Sequence, residues 1–350
     1  MVAKMGIRMY KAGDEGQIQA LFTKVFNKQR SMEEWQWKYI NAPGKDNPWI
    51  LVFEEKEAIL GHIALWVFEV YVDGEMKKAG LRIDTMVDPA ARGKGIYREL
   101  NEAMIEKAKA SGISILHGFP APKAKELLLQ YTDGVYVTDI SRYYMVLEPW
   151  KIAATITKII KPFTILDGLY RMYRLRKVKL HLPTGYLFEA VEQCDARFDV
   201  LADKTKMLKP VMMKRDASYL NWRYVKRPGH NYTIFTLVKD EELQGYIVVK
   251  KETMKKKTGE LSLGYVVDWL AIDDEKNWEY LIQGALTYLK DTDLIQAWSF
   301  PANQMVPKMH YFGLKERDRP MPFIVHHLDT DETVLDAANW WYTQGDVDSF

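Results

Sequence analysis

Met86-Val87-Asp88-Pro89-Ala90-Ala91-Arg92-Gly93-Lys94-Gly95-Ile96-Tyr97 joins two kinds of pattern. Before it, Leu81 to Val87 is an apolar run of strand character. After it, Ile96, Leu100, Met104 and Ala108 recur at helical spacing as far as Ser111, and Gly112 marks the stop. A glycine-rich turn therefore carries a strand into a helix N-terminus. The first N–H groups of a helix have no intrahelical acceptor, and the dipole is positive there. The expected guest is an anion, a phosphate first. Gly93 and Gly95 carry no side chain and let the backbone approach it closely. The plainer alternative is a surface loop without function; the strand before and the helix after argue against it.

Val87-x-Pro89-x-x-Arg92-Gly93-Lys94-Gly95-Ile96 resembles the pyrophosphate loop of the GCN5-related N-acetyltransferases (GNAT), whose pattern is Arg/Gln-x-x-Gly-x-Gly/Ala. Arg92 and Gly95 fit, and Tyr97 stands where the family has a small residue. The resemblance implies an α/β fold with a mixed sheet. It also implies coenzyme A held by Met86, Val87, Arg92, Gly93, Lys94, Gly95, Ile96 and Tyr97. The implied reaction is direct transfer from acetyl-CoA to an amine, with both substrates held together. A backbone N–H at Met86 or Val87 would polarise the acyl oxygen, and a base would take the proton of the amine.

Asp84 is the one carboxylate in the strand Leu81 to Val87, and burial there is expected to raise its pKa, which suits a base. A structural aspartate is the other reading, favoured by an echo at Asp268. His62 and His117 fall on predicted strands and read as core or cleft residues. Many GNAT enzymes use as acid a tyrosine four residues before the glycine that ends the later helix. Counting back from Gly134 gives Gln130, so Tyr131, one residue off, is the candidate. His326-His327 are adjacent, face opposite sides of a strand and make no metal site. The only cysteine, Cys194, has no evident base partner and reads as core; without a second, no intrachain disulfide forms.

The chain has 350 residues, 47% hydrophobic and 27% charged, with a formal net charge of +2. That length suggests two domains, and that charge gives no nucleic-acid signature. No leader and no membrane-spanning run is visible, so a cytoplasmic setting is expected.

The second half echoes the first. Leu220-Asn221-Trp222-Arg223-Tyr224-x-x-x-Pro228-Gly229 answers Trp35-Gln36-Trp37-Lys38-Tyr39-x-x-x-Pro43-Gly44, Gly245 answers Gly61, and Phe300-Pro301-Ala302 answers Phe119-Pro120-Ala121. Matches in one order argue duplication. The expectation is two tandem GNAT-like domains, an architecture that resembles mycothiol synthase and the Fem aminoacyltransferases. Residues 1–148 form the acetyl-CoA-binding domain, with Val135–Ile140 and Arg142–Leu147 as closing strands. Residues 149–185 are a basic helical connector, 186–330 a second domain without phosphate loop, and 331–350 an aromatic and acidic tail.

The connector carries eight cations against Asp167. It reads as a linker whose apolar side packs between domains, or alternatively as an interfacial helix for an anionic membrane. The tail reads as a strap docked by its Trp pair, or as a wall of the acceptor cleft in which Asp346, Asp348 or the chain end attracts an amine. The function expected is acetyl transfer to the primary amine of a small molecule, an amino sugar or a polyamine. The alternatives are a CoA-binding sensor or scaffold without chemistry, and a Fem-like aminoacyltransferase using charged tRNA.

Overall fold

The computed structural model describes residues 5–329 and 331–348. The first half runs β1 (Met5–Met9), α1 (Glu15–Phe26), α2 (Met32–Trp35) continued by a π-helical turn over Gln36–Ile40, β2 (Trp49–Glu55), β3 (Ala58–Val72), β4 (Glu75–Val87), α3 (Ile96–Ala110), β5 (Ile115–Gly118), α4 (Pro122–Tyr131) and β6 (Val135–Val146). Then come α5 (Pro149–Ala154), a 3-10 stretch over Lys158–Leu166, and α6 (Asp167–Leu175). The second half repeats the order: β7 (Tyr186–Val191), α7 (Ala196–Thr205), a short β8 (Val211–Met213), α8 (Ala217–Leu220) with its own π-helical turn over Asn221–Val225, β9 (Tyr232–Lys239), β10 (Glu242–Lys256), β11 (Gly259–Ala271), α9 (Glu275–Tyr288), β12 (Leu294–Ser299), α10 (Val306–Phe312) and β13 (Lys315–His327). The tail adds β14 (Trp340–Trp341), paired with β8.

The chain forms two compact units. The sheet of the first has the order β1-β2-β3-β4-β5-β13, antiparallel except for the parallel pair β4–β5. The second has β7-β9-β10-β11-β12-β6, antiparallel except for β11–β12. This corrects the expected end of the first domain. Val135–Val146 is one strand, and its residues Ser141–Val146 pair with β12 of the second unit. In return, Ile324–His327 of β13 pair with β5 of the first. In each unit the closing strand satisfies backbone groups along the edge it pairs with. The first unit accordingly holds Met1–Thr138, Lys226–Pro228 and Met321–Asp336, while the tail from Ala337 belongs to the second.

In the first unit, α3 buries Ile96, Leu100, Met104 and Ala108 on Leu51, Phe53, Ile63 and Leu65. Each large apolar side chain so buried contributes about 2 kcal/mol. A Cβ at Gly61 would lie 2.8 Å from side-chain atoms of both Ile96 and Leu100, so a glycine is what lets the helix seat on β3. At the other end Gly112 adopts φ 70°, and the N–H of Ile113 returns to Ala108 C=O at 3.0 Å. This closing turn leads the chain into β5 at Ile115.

Gly134 does not stop α4. The helix ends at Tyr131, where the Thr132 hydroxyl takes up the Leu128 carbonyl at 2.6 Å. Gly134 is small because a Cβ there would lie 2.6 Å from the His326 ring.

One further expectation changes, and the Trp pair of the tail is docked as the strap reading has it. The apolar side of the connector is not packed away: Ile156, Ile159, Ile165, Leu169 and Met172 are exposed. Within the tail, residues 340–347 are core of the second unit, with Trp340, Trp341 and Tyr342 fully buried. The chain end at Phe350 lies outside the described residues. No described helix is long and apolar enough to cross a membrane.

Candidate active site

β4 is bulged. His62 pairs with Met86 and Ala64 with Ile83, so Asp84 and Thr85 together face Ile63 alone, and Asp84 takes φ 45°. On its other side β4 pairs with β5 only from Ala79 to Leu81 and then parts from it. A cleft of about 870 Å³ opens beside this part of β4. It is lined by Thr85 and Val87 of β4, by Arg92, Gly93 and Gly95 of the turn, by Tyr97, and by Leu127 and Tyr131 of α4.

The turn is held from outside the cleft. The Asp88 carboxylate accepts from Ala90 N–H at 2.8 Å and from Lys24 Nζ at 2.7 Å, which fixes the single 3-10 turn Pro89–Ala91. Gly93 and Gly95 then take φ 83° and 85°. Gly95 C=O accepts from Glu99 N–H at 3.1 Å, so the N–H groups of Ile96, Tyr97 and Arg98 precede the first helical bond. A Cβ at Gly93 would meet nothing within 4 Å, and one at Gly95 only Glu99 Oε1, at 3.6 Å. The backbone here faces open space, and a diphosphate fits it.

The named residues differ in what they face. Asp88 N–H donates to Leu60 C=O of β3 at 2.8 Å. Strand N–H groups alternate in direction, so Met86 N–H also points at β3 and Val87 N–H points away, to the side that β5 has left. Of the two, Val87 is the one whose N–H faces the side that β5 has left. Ile96 offers backbone alone, because its side chain is core. Lys94 pairs with Glu55 at 3.6 Å. The Tyr97 hydroxyl reaches Ala124 C=O at 3.4 Å and so ties the first turn of α3 to α4. Tyr131, the last residue of α4, borders the cleft opposite the turn.

Asp84 behaves unlike the expected base. Its carboxylate accepts from Arg30 at 2.6 Å, from Lys38 at 3.1 Å and from the Tyr39 hydroxyl. Burial pushes its pKa up, but Lys38, Arg30 and Tyr39 outweigh burial and hold it well below the usual carboxylate range. The expectation of a raised pKa is therefore corrected in sign. His62, His117 and His326 are enclosed and neutral. Burial pushes His62 down to about 4, His117 to about 3 and His326 to about 2. His62 Nδ1 donates to Asp84 C=O at 2.7 Å, and His326 Nε2 lies 2.7 Å from the Thr132 hydroxyl.

The second unit builds the same ion pair without the cleft motif. Arg215, placed before α8 as Arg30 is before α2, contacts Asp268 at 3.2 Å. Tyr246, in the place of His62, donates to the same carboxylate at 3.0 Å. Asp346 completes the cluster at 2.5 Å from Arg215. Burial, with Asp268 sharing the guanidinium, pushes Asp346 up to about 6. Where the first half has its glycine turn, the second has Ile272-Asp273-Asp274. There the Asp274 carboxylate caps α9 by accepting from Lys276 N–H at 2.7 Å, and Asp273 accepts from Trp278 Nε1 at 3.0 Å.

Residues 6–124 match the model of the acetyltransferase (GNAT) domain. This chain carries a GNAT acyltransferase domain. The mixed α/β fold matches solved structures over nearly its full length. A GCN5-related N-acetyltransferase from Anabaena variabilis aligns with a TM-score of 0.68 at 12% identity, over 93% of this chain and 73% of that one. A probable N-acyltransferase from Enterococcus faecalis gives 0.66 at 11% identity, over 94% and 74%. The Saccharomyces cerevisiae N-myristoyltransferase, solved with bound myristoyl-CoA, gives 0.60 at 11% identity, over 93% and 83%. At these identities the likeness is one of fold. No curated protein matches the sequence.

Signals for the missed residues were present. Arg30 precedes the Trp35–Tyr39 motif as Arg215 precedes its echo, so the repeat itself marked the partner of Asp84.

Proposed function

We propose that the chain transfers an acetyl group from acetyl-CoA to the primary amine of a small molecule, an amino sugar or a polyamine. One observation carries the reading: the open backbone of the Arg92–Tyr97 turn, the outward Val87 N–H and the Tyr131 hydroxyl all border one cleft. Acetyl-CoA, when bound, supplies the activated thioester. Arg92 and the N–H groups of Ile96 to Arg98 hold its diphosphate at the positive end of α3. Val87 N–H is placed to polarise the acyl oxygen as negative charge develops there. Tyr131 O–H gives a proton to the departing sulfur.

The amine attacks in its neutral form. No Asp, Glu or His is among the cleft-lining residues, and the charged ones are Arg92, Arg98 and Lys123. These cations answer the phosphates of the donor and disfavour an ammonium. The amine therefore gives up its proton to water rather than to a side chain. The same lack of an enclosed base favours a second reading, a CoA-binding protein without turnover. Thiol release from acetyl-CoA and from longer acyl-CoA, measured over a panel of primary amines, decides between them. Turnover with one amine supports the enzyme; CoA binding without turnover on any supports the sensor.

A further inference from the structure

α6 is built inside out. Tyr170, Arg171 and Arg174 point into the second unit: Tyr170 packs edge-on to Trp150 at 5.8 Å, Arg171 donates to Glu148 at 2.5 Å, and Arg174 donates to Gly313 C=O at 2.7 Å. Leu169, Met172 and Tyr173, spaced to share the opposite face, are 64%, 67% and 57% exposed. The stretch before it continues the surface, with Ile156 and Ile159 at 81% and Ile165 at 83%. Isolated apolar residues on a surface need no explanation, but an apolar run of this length marks a contact.

The charges say which contact. Between Ile156 and Leu182 the chain has seven lysines and arginines and one acid, Asp167. Asp167 is buried and accepts from the backbone N–H groups of Trp150 and Lys151 at 3.1 and 2.9 Å. Lys161, Arg176, Lys177 and Lys179 are exposed. A second copy docked on this face about a two-fold axis would set these cations against themselves. An anionic bilayer meets both features, with hydrocarbon for the isoleucines, leucine and methionine and headgroup charge for the lysines and arginines.

We infer that residues 156–179 dock the chain on an anionic membrane surface, with the outer face of α6 and the preceding isoleucines inserted at the headgroup boundary. The test is co-sedimentation of the full chain with vesicles of phosphatidylcholine, alone or mixed with phosphatidylglycerol. Binding is expected to the mixed vesicles only, and to weaken as salt rises. Changing Ile159, Ile165 and Leu169 together to Ser removes exposed side chains, so melting stays unchanged while the partition coefficient falls at least about tenfold. Lys161→Gln and Lys179→Gln each lower it about fivefold. The inference is overturned by absence of binding to mixed vesicles, by equal binding to neutral ones, or by wild-type binding of the triple variant. Self-association of the wild type that the triple variant loses would also overturn it, assigning the face to a second copy.

Discussion

Arg30 Nη1 lies 2.6 Å from the buried Asp84 carboxylate and ties the turn before α2 to the bulge of β4. Arg215 and Asp268 make the same tie in the second unit. A pair kept in both halves, one with a glycine turn and one without, belongs to the scaffold. It holds the π-helical turn against the sheet and so sets the bulge beside which the cleft opens.

Asp84→Asn is accordingly a stability variant. It leaves Arg30 and Lys38 buried beside an uncharged amide, a change that costs about 3–5 kcal/mol. Urea unfolding will show the loss, while turnover per folded molecule stays near wild type. The pH sign follows from the lowered folded pKa. The stabilisation is full above the unfolded value near 4 and is lost as pH falls towards the folded one. The wild type will lose stability in that acid range and the variant will lose less. A loss of turnover of about 100-fold with stability unchanged would restore Asp84 as a catalyst.

Tyr131→Phe removes the hydroxyl at the cleft and keeps the ring. The rate of the chemical step will fall about 100-fold with CoA affinity unchanged. In both proteins kcat/KM for the amine will rise with pH up to the acceptor's own pKa, with no plateau set by a carboxylate or histidine. A break near neutral pH in the wild type would reveal a base outside the cleft lining.

Removing Gly345 to Phe350 will destabilise the second unit. The Asp346 contact to Arg215 at 2.5 Å is lost, as are the Arg223 bonds to Gly345 C=O and Val347 C=O, both at 2.9 Å. Two buried guanidinium groups lose acceptors, a cost on the order of 3–5 kcal/mol. Thermal melting will show it. A normal melt with a raised acceptor KM would instead give the tail the substrate role read from its aspartates.

One chain will bind one CoA. Asp274 already fills the N-terminus of α9, and Asp273 adds negative charge beside it. A titration that saturates at two per chain would contradict this.

Local patterns were legible and distant partners were not. The phosphate turn can be read because glycines, strand and helix sit within a short stretch. The duplication can be read because Trp37 and Trp222 keep their neighbours. The exchange of β6 and β13 leaves no trace in sequence, since each pairs with a strand remote along the chain. The sign of the Asp84 shift depends on Arg30, Lys38 and Tyr39, which are remote along the chain. Periodicity shows that α6 has an apolar face, but only Glu148 and Gly313, which hold its arginines, reveal that this face looks outward.

The central claim is that acyl-CoA is held by the backbone of the Arg92–Tyr97 turn. Calorimetric titration of CoA into the wild type and Gly95→Glu tests it most directly. Gly95 has φ 85°, so the substitution carries a strain of about 1–2 kcal/mol, checked by melting. It also sets a carboxylate at the entrance of α3, where the diphosphate is to lie. The account predicts one site per wild-type chain and affinity at least about 100-fold weaker in the folded variant. Equal affinity in the two proteins would contradict it.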